Sequence, residues 1–224
     1  MNPVTKLWFL AALNALSGPT RAEQAVSVGG GLALLNKPDA ATGSVILIPG
    51  GDGILGIEAS GAFSSLKGNQ LVRTRKAYLK HGVATLTVDK GVDVAQAVTY
   101  MRAVASPVVI VATSRGSLRV PAALKAKPDG LVLTAAFLSE VQSKTVLEAL
   151  PRTLVVHHRQ DGCHHTPPSA VAPFVGWSKG KAIVQWMEGG TDAGDPCQAK
   201  GFHGFAGQDA AVVAAIARFV DNKR

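Results

Sequence analysis

Ser114 stands in VVIVATSRGS, where four β-branched residues, Val108 to Val111, run into a turn of small residues. A serine there becomes a nucleophile only if the turn lifts its Oγ clear of the sheet, which requires small residues two before and two after it. Gly116 meets the second requirement. Ala112 meets the first with one methyl more than glycine. A turn serine or a helix N-cap is the other use of the same pattern. Such a nucleophile needs an acid and then a histidine further along the chain. Asp161 follows the apolar run TLVVHH (153–158), and His203 lies in the loop GGTDAGDPCQAKGFHGF after KAIVQWME (181–188). In that set the histidine takes the serine proton, while the acid fixes the imidazole tautomer and stabilises its charge. Pro49-Gly50-Gly51-Asp52-Gly53 adds a glycine-rich turn that aims the backbone N–H of Gly51 or Asp52 at a developing oxyanion, with the N–H of Arg115 as second donor. Phosphate binding is the rival use of this turn. It lacks the lysine–serine ending of a P-loop and a G-x-G-x-x-G opening a helix.

The elements that must hold these residues follow from the apolar pattern. Strands are expected at 44–50, 82–89, 107–114, 130–137, 153–158 and 181–188, with a hairpin within QAVSVGGGLALLN (24–36). Helical spacing falls at 93–105, 117–127, 139–150, 169–177 and 208–220. Apolar strands alternating with helices predict a parallel sheet covered on both faces. The expected fold is a single α/β domain, mostly parallel, with about six to eight strands and flanking helices. Function in such sheets sits at the carboxyl ends of the strands. Ser114, Asp161, His203 and the PGGDG turn all fall there.

Residues 1–22 are read as a secretory signal peptide: Lys6, then the apolar LWFLAALNAL, then a small residue, Ala22, at the cut. The domain is expected to span 23–224, exported to the periplasm or the medium. No second apolar run approaches the ~20 residues that span a bilayer. Without Lys6 and Arg21 the 23 basic residues fall to 21 against 15 acidic ones, a balance of +6. The basic residues are scattered and not interleaved with aromatics, which argues against nucleic acid. Two cysteines, Cys163 and Cys197, are the number that pairs in an exported protein, free thiols being the alternative. Nothing in the pattern specifies an oligomeric state.

Other candidates carry weaker signals. His157, His158, His164 and His165 crowd together, but as adjacent pairs rather than at metal-ligand spacing, so no metal is assigned and His157 or His158 is placed beside the pocket. Asp192 and Asp195 are rival acids whose glycine and proline neighbours suit turns. Asp89 ends a strand but precedes the serine, and is read as structural. Arg73 and Arg75 are read as solvated helix charges, with binding of an anionic group near the cleft as the sharper alternative.

With these residues in hand the chain resembles the α/β-hydrolase superfamily, and is similar to a group of small exported bacterial α/β-hydrolases. The likeness is carried by IPGGDG, NQLVRTR, ATSRGS, HHRQDGCHHTPP and GDPCQAKGFHGF, from residue 44 to the C-terminus. Ala112 stands where that group usually has glycine. The resemblance implies Ser114 as nucleophile, Asp161 as acid, His203 as base, and a disulfide joining Cys163 to Cys197. The superfamily fold by itself gives no substrate; the expected activity is hydrolysis of a small-molecule ester or acyl substrate through an acyl-enzyme, with no cofactor. A peptidase, amidase or lactonase would use the same triad, and a non-catalytic exported binding protein would share the fold. Between the fourth and fifth parallel strands, where relatives insert a lid, the sequence holds only a short helix. That predicts an open site.

Overall fold

Charge-free runs rich in Val, Ile and Leu make strands only where both faces are covered. The structure, a computed structural model, describes residues 22–222. Of the segment read as a signal peptide, all but Ala22 lies outside them. β1 (Gln24–Val28) and β2 (Gly31–Asn36) form an antiparallel hairpin, its two-residue loop being Gly29-Gly30. β3 (Gly43–Ile48), β4 (Val83–Val88), β5 (Val108–Thr113), β6 (Gly130–Thr134) and β7 (Thr153–His158) are buried at every residue. β8 (Ala182–Met187) alternates exposed and covered positions as an edge strand does. The eight strands form one sheet in the order β1-β2-β4-β3-β5-β6-β7-β8, parallel from β4 to β8.

Successive side chains point to opposite faces, so the sheet feeds two cores. Ile46, Ile48, Ile110 and Ala112 pack under α2 (Val94–Val104), α3 (Val120–Ala123), α4 (Leu138–Ser143) and α5 (Val171–Trp177). Val45, Leu47, Val109 and Val111 pack under α1 (Gln70–Thr74) and α6 (Asp209–Asp221). A fully buried Val, Leu or Ile contributes about 1.5–3 kcal/mol, so the central strands are the stable frame on which the loops are hung. Among the described residues, no helix is long and apolar enough to cross a membrane.

Three elements depart from the sequence pattern. The helix expected at 117–127 is a 3-10 turn from Ser114 to Arg119, then α3, then a 3-10 turn at Leu124–Ala126. Pro121 lacks the N–H and constrains the residue before it, which breaks a continuous α-helix. The helix expected at 139–150 ends at Ser143, and Val146 is extended ahead of a short turn at Leu147–Ala149. Between β3 and β4, where the apolar pattern sets no helix bounds and only Arg73 and Arg75 are read as helix charges, α1 and a 3-10 turn (Ala77–His81) bury Leu71, Val72 and Tyr78.

The chain runs from β3 to β4 on one side and returns to β5 on the other. The strand order therefore reverses between β3 and β5, and a crevice opens outside their carboxyl ends. Gly50 and Ser114 sit at that reversal.

Candidate active site

β5 delivers Ser114 into a turn that no ordinary residue adopts freely. Its φ is +49°, in the left-handed region, and the 3-10 turn begins at the serine itself. Holding a non-glycine residue there costs on the order of 1–3 kcal/mol, supplied by the surroundings. Those surroundings are tight. A Cβ on Gly116 would stand 2.5 Å from the Ile48 carbonyl oxygen and nearer still to that of Pro49, so only glycine lets the turn press against β3. Ser117, fully buried, donates its hydroxyl to the Ser114 carbonyl at 2.7 Å and accepts from the Phe137 N–H at 3.0 Å. Ala112 lies in β5 with no exposed surface, and the turn forms with alanine there.

The other two candidates arrive from separate strand ends. The Ser114 hydroxyl donates to His203 Nε2 at 3.0 Å, and His203 Nδ1–H donates to Asp161 Oδ2 at 3.0 Å. A carboxylate only accepts, so the imidazole proton belongs on Nδ1 and Nε2 is free to take the serine proton. Asp161 is buried and accepts two further hydrogen bonds: Oδ1 from the Cys163 N–H at 2.9 Å, and Oδ2 from the Thr166 hydroxyl at 3.1 Å. Thr166 Oγ1 also lies 3.1 Å from His203 Nδ1. Its one hydrogen is on the carboxylate, so towards the histidine it is an acceptor, sharing the Nδ1–H with Asp161.

His157 sits behind the acid, fully buried. Its Nε2–H donates to the Thr166 carbonyl at 3.0 Å and lies 3.5 Å from Asp161 Oδ2. Burial pushes its pKa below the ordinary imidazole value, outweighing the opposite pull of Asp161 and of the Thr166 hydrogen bond. A neutral His157 buttresses the Asp161–Thr166 turn without adding charge beside the carboxylate.

Cys163 and Cys197 are joined by a disulfide, with Cα atoms 4.5 Å apart. The bridge ties the acid loop to the loop that carries His203. Residues of that second loop, Ala193 to Lys200, form one wall of a cavity of about 680 Å³ containing Ser114 and His203. Gly51, Leu66 and Asn69 form another wall, and Phe137, stacked on His165 with ring centroids 5.4 Å apart, a third. The segment between β6 and β7 covers nothing with a lid. Closure comes from the disulfide-anchored loop.

Of the expected oxyanion donors, Gly51 and Arg115 line this cavity with Ser114. Asp52 does not. It lines a neighbouring depression that Gly51 and Arg115 also border, and its side chain accepts from the Ile54 N–H at 3.0 Å. Gly50 makes the close approach possible, since a Cβ there would lie 3.0 Å from Ser114 Cβ.

The remaining candidates have other duties. His157 and His158 lie beneath the site, His158 stacked on Phe202 with centroids 4.3 Å apart, and of the four clustered histidines it is His165 that lines the cavity. Among the described residues no group of three His, Cys, Asp or Glu is placed to hold a metal ion. Asp195 accepts from the Cys197 N–H at 2.7 Å, turning the disulfide loop. Asp89 accepts from the N–H groups of Leu55, Gly56 and Ile57 at 2.9–3.2 Å, anchoring the chain after the PGGDG turn. Arg73 and Arg75 are ion-paired within the fold, to Asp209 and Glu23, rather than free in solvent. Thr166 and Phe137 carry no sequence signal of their own. Thr166 is recognisable only because it lies five residues after Asp161, one turn further round the same loop.

No family model matches the chain, and no curated protein sequence matches it. Solved structures do. A protein described as a CIB-like hydrolase from Thermoplasma acidophilum superposes with a TM-score of 0.58 at 18% identity, over 90% of this chain and 98% of its own. An α/β serine hydrolase without a lid from Xanthomonas campestris gives 0.62 at 15% identity, over 91% and 98%. Carboxyl esterase 2 from Tuber melanosporum gives 0.62 at 14% identity, over 93% and 89%. The chain has the α/β-hydrolase fold, in a single domain without a lid.

Proposed function

We propose that the protein is a serine hydrolase that cleaves carboxylic esters. The observation that carries this reading is the unbroken chain Ser114 Oγ–His203 Nε2 and His203 Nδ1–Asp161 Oδ2, 3.0 Å at each step, opening into a cavity. A helix cap or a turn serine has no use for such a chain. The hydrolase and esterase descriptions of the structural neighbours agree with it.

The steps follow from the geometry. Ser114 Oγ attacks the ester carbonyl carbon as His203 Nε2 takes its proton. The resulting oxyanion is held by the N–H groups of Arg115 and Gly51, while Asp161 stabilises the imidazolium through Nδ1. Collapse breaks the C–O bond to the alcohol, which leaves with the proton from Nε2. Water then attacks the acyl-serine, giving its proton to Nε2. Collapse releases the acid and returns the proton to Ser114. No metal or cofactor enters. With no lid over the cavity, the acyl groups that fit are small, or the bond lies exposed on a larger molecule.

We further propose that residues 1–22 are removed on export, leaving the domain at 23–224. Support comes from the disulfide, which persists in oxidising compartments. It also comes from Glu23, whose carboxylate is gripped by Arg75 and Asn36. The test of the activity is labelling with a fluorophosphonate, locating the adduct by peptide mass spectrometry, beside Ser114→Ala. An adduct at Ser114 that is absent in the variant is expected. A folded, oxidised protein that takes no label would overturn the reading, and paired p-nitrophenyl esters and anilides then separate esterase from amidase in a protein that labels.

A further inference from the structure

Arg73 spends every hydrogen it has. Nε donates to the Asp209 carboxylate at 2.9 Å, and Nη2 donates to the same carboxylate and to the Gly204 carbonyl, both at 2.7 Å. Nη1 donates to the Gly68 carbonyl at 2.6 Å and, more loosely, to that of Ala199 at 3.4 Å. A guanidinium has five N–H donors in a rigid fork, and all five are placed. Their acceptors are not one element. Gly68 precedes α1 on the wall of the cavity, Ala199 and Gly204 bracket His203, and Asp209 opens α6.

We infer that Arg73 is a positioning residue for His203: it fixes the histidine loop to the opposite wall of the cavity and thereby sets the distance from Nε2 to Ser114. The inference rests on the triad reading. The loop from Gly189 to Gln208 contains no regular element longer than the single turn Phe202–Gly204, so its shape comes from ties to its neighbours. The disulfide holds it at Cys197, six residues before the histidine. Arg73 holds it at Gly204, the residue after the histidine, and at Asp209. The loop is therefore pinned on both sides of His203, to the acid loop and to α1. Lysine cannot replace the fork, because a single ammonium cannot satisfy a bidentate carboxylate and three carbonyls at once.

Arg75, two residues on, is an internal control. It forms the same fork, Nε and Nη2 on Glu23 at 2.6 and 2.8 Å, and its Nη1 donates to the Val72 carbonyl, so its acceptors lie ahead of β1 and within α1 and none belongs to the histidine loop. Arg73→Lys, Asp209→Asn and Arg75→Lys are compared in the full, oxidised protein by p-nitrophenyl acetate hydrolysis, by the rate of fluorophosphonate labelling, and by thermal melting. A displacement of order 1 Å at a reacting group costs up to about a hundredfold. Arg73→Lys is expected to lower kcat and the labelling rate together by about ten- to a hundredfold, with KM changed by less than about twofold. Asp209→Asn, which leaves the bonds to Gly204 and Ala199, is expected to lower them less and carries the test if Arg73→Lys does not fold. Arg75→Lys is expected to lower the melting temperature and leave kcat unchanged. Folded Arg73→Lys and Asp209→Asn proteins with wild-type kcat would overturn the inference and leave the triad reading standing. So would an equal loss in Arg75→Lys. A wild-type protein that takes no label overturns both.

Discussion

Cys163 and Cys197 are bonded to each other across 34 residues of chain, and each lies one hydrogen bond or one short loop from a member of the Ser114–His203–Asp161 array. The Cys163 N–H donates to Asp161 Oδ1 at 2.9 Å, and its carbonyl accepts from the Thr166 N–H at 3.0 Å. Cys197 begins the segment that leads to His203. The covalent link is thus also the support of the acid–histidine contact, since it forbids the two loops from moving apart.

Removing the bridge should lower both stability and activity. A closed loop of this length is worth roughly 3 to 4 kcal/mol in the chain-entropy model, a fall in melting temperature on the order of 10 °C for a domain of this size. The Cys163→Ser, Cys197→Ser double variant, or the protein reduced by dithiothreitol, should show that fall by calorimetry. At a temperature where the variant is still folded, the rate of Ser114 labelling should also drop. Unchanged labelling in a folded, bridge-free protein would mean that the loops hold their places without the disulfide.

The elbow makes a second demand, at Gly116. An alanine methyl there would push into the Ile48 and Pro49 carbonyls, which belong to the frame and have no rotamer with which to yield. Overpacking of this kind costs typically about 1–3 kcal/mol, and any relief must come from moving Ser114. Gly116→Ala should therefore lower the urea midpoint and slow labelling. Ala112→Gly should behave differently: it places glycine in a strand interior, losing roughly 0.5–1 kcal/mol, and should label at the wild-type rate. If Gly116→Ala labels normally, the close approach is not what arms the serine.

The sequence makes the sheet legible because five strands carry no Asp, Glu, Lys or Arg and are rich in Val, Ile and Leu, a pattern that suits a doubly covered parallel sheet. It makes Ser114, Asp161 and His203 legible because each follows a strand, and strand ends are where this architecture gathers side chains. What it hides is everything fixed by contacts between distant segments. The partner of Arg73 lies 136 residues away, and no local pattern distinguishes that arginine from a solvated one. Thr166 and His157 acquire meaning only once the Asp161 loop has folded back on β7. The broken helix after Ser114 is likewise set by the elbow's strain and by Pro121, which override the helical spacing of the apolar residues around them.

The buried His157 gives the fold a pH dependence whose sign can be worked out. Its folded pKa lies below the ordinary imidazole value of 6.5, chiefly through burial, and in the unfolded chain it returns to that value. The unfolded state then binds more protons than the native state below about pH 6.5, and stability falls as pH drops through that window, by at most about 1.4 kcal/mol per unit for one group. Protonation would also place a cation against His203 and His158, offset by Asp161, and among the described residues Nδ1 has no partner to receive the new hydrogen. His157→Gln keeps a donor for the Thr166 carbonyl and cannot titrate. It should be less stable than wild type at neutral pH, because the imidazole's packing against Trp186 is lost. On acidification its urea midpoint should fall less steeply, so that the two curves converge. Carboxylates and histidines remote from residue 157 act equally on both proteins and drop out, which leaves His157 and the groups whose charge it feels, Asp161, His158 and His203. Parallel curves from pH 7.5 to about pH 5 would show that His157 takes up its proton in the folded state, and that its burial does not limit stability in acid.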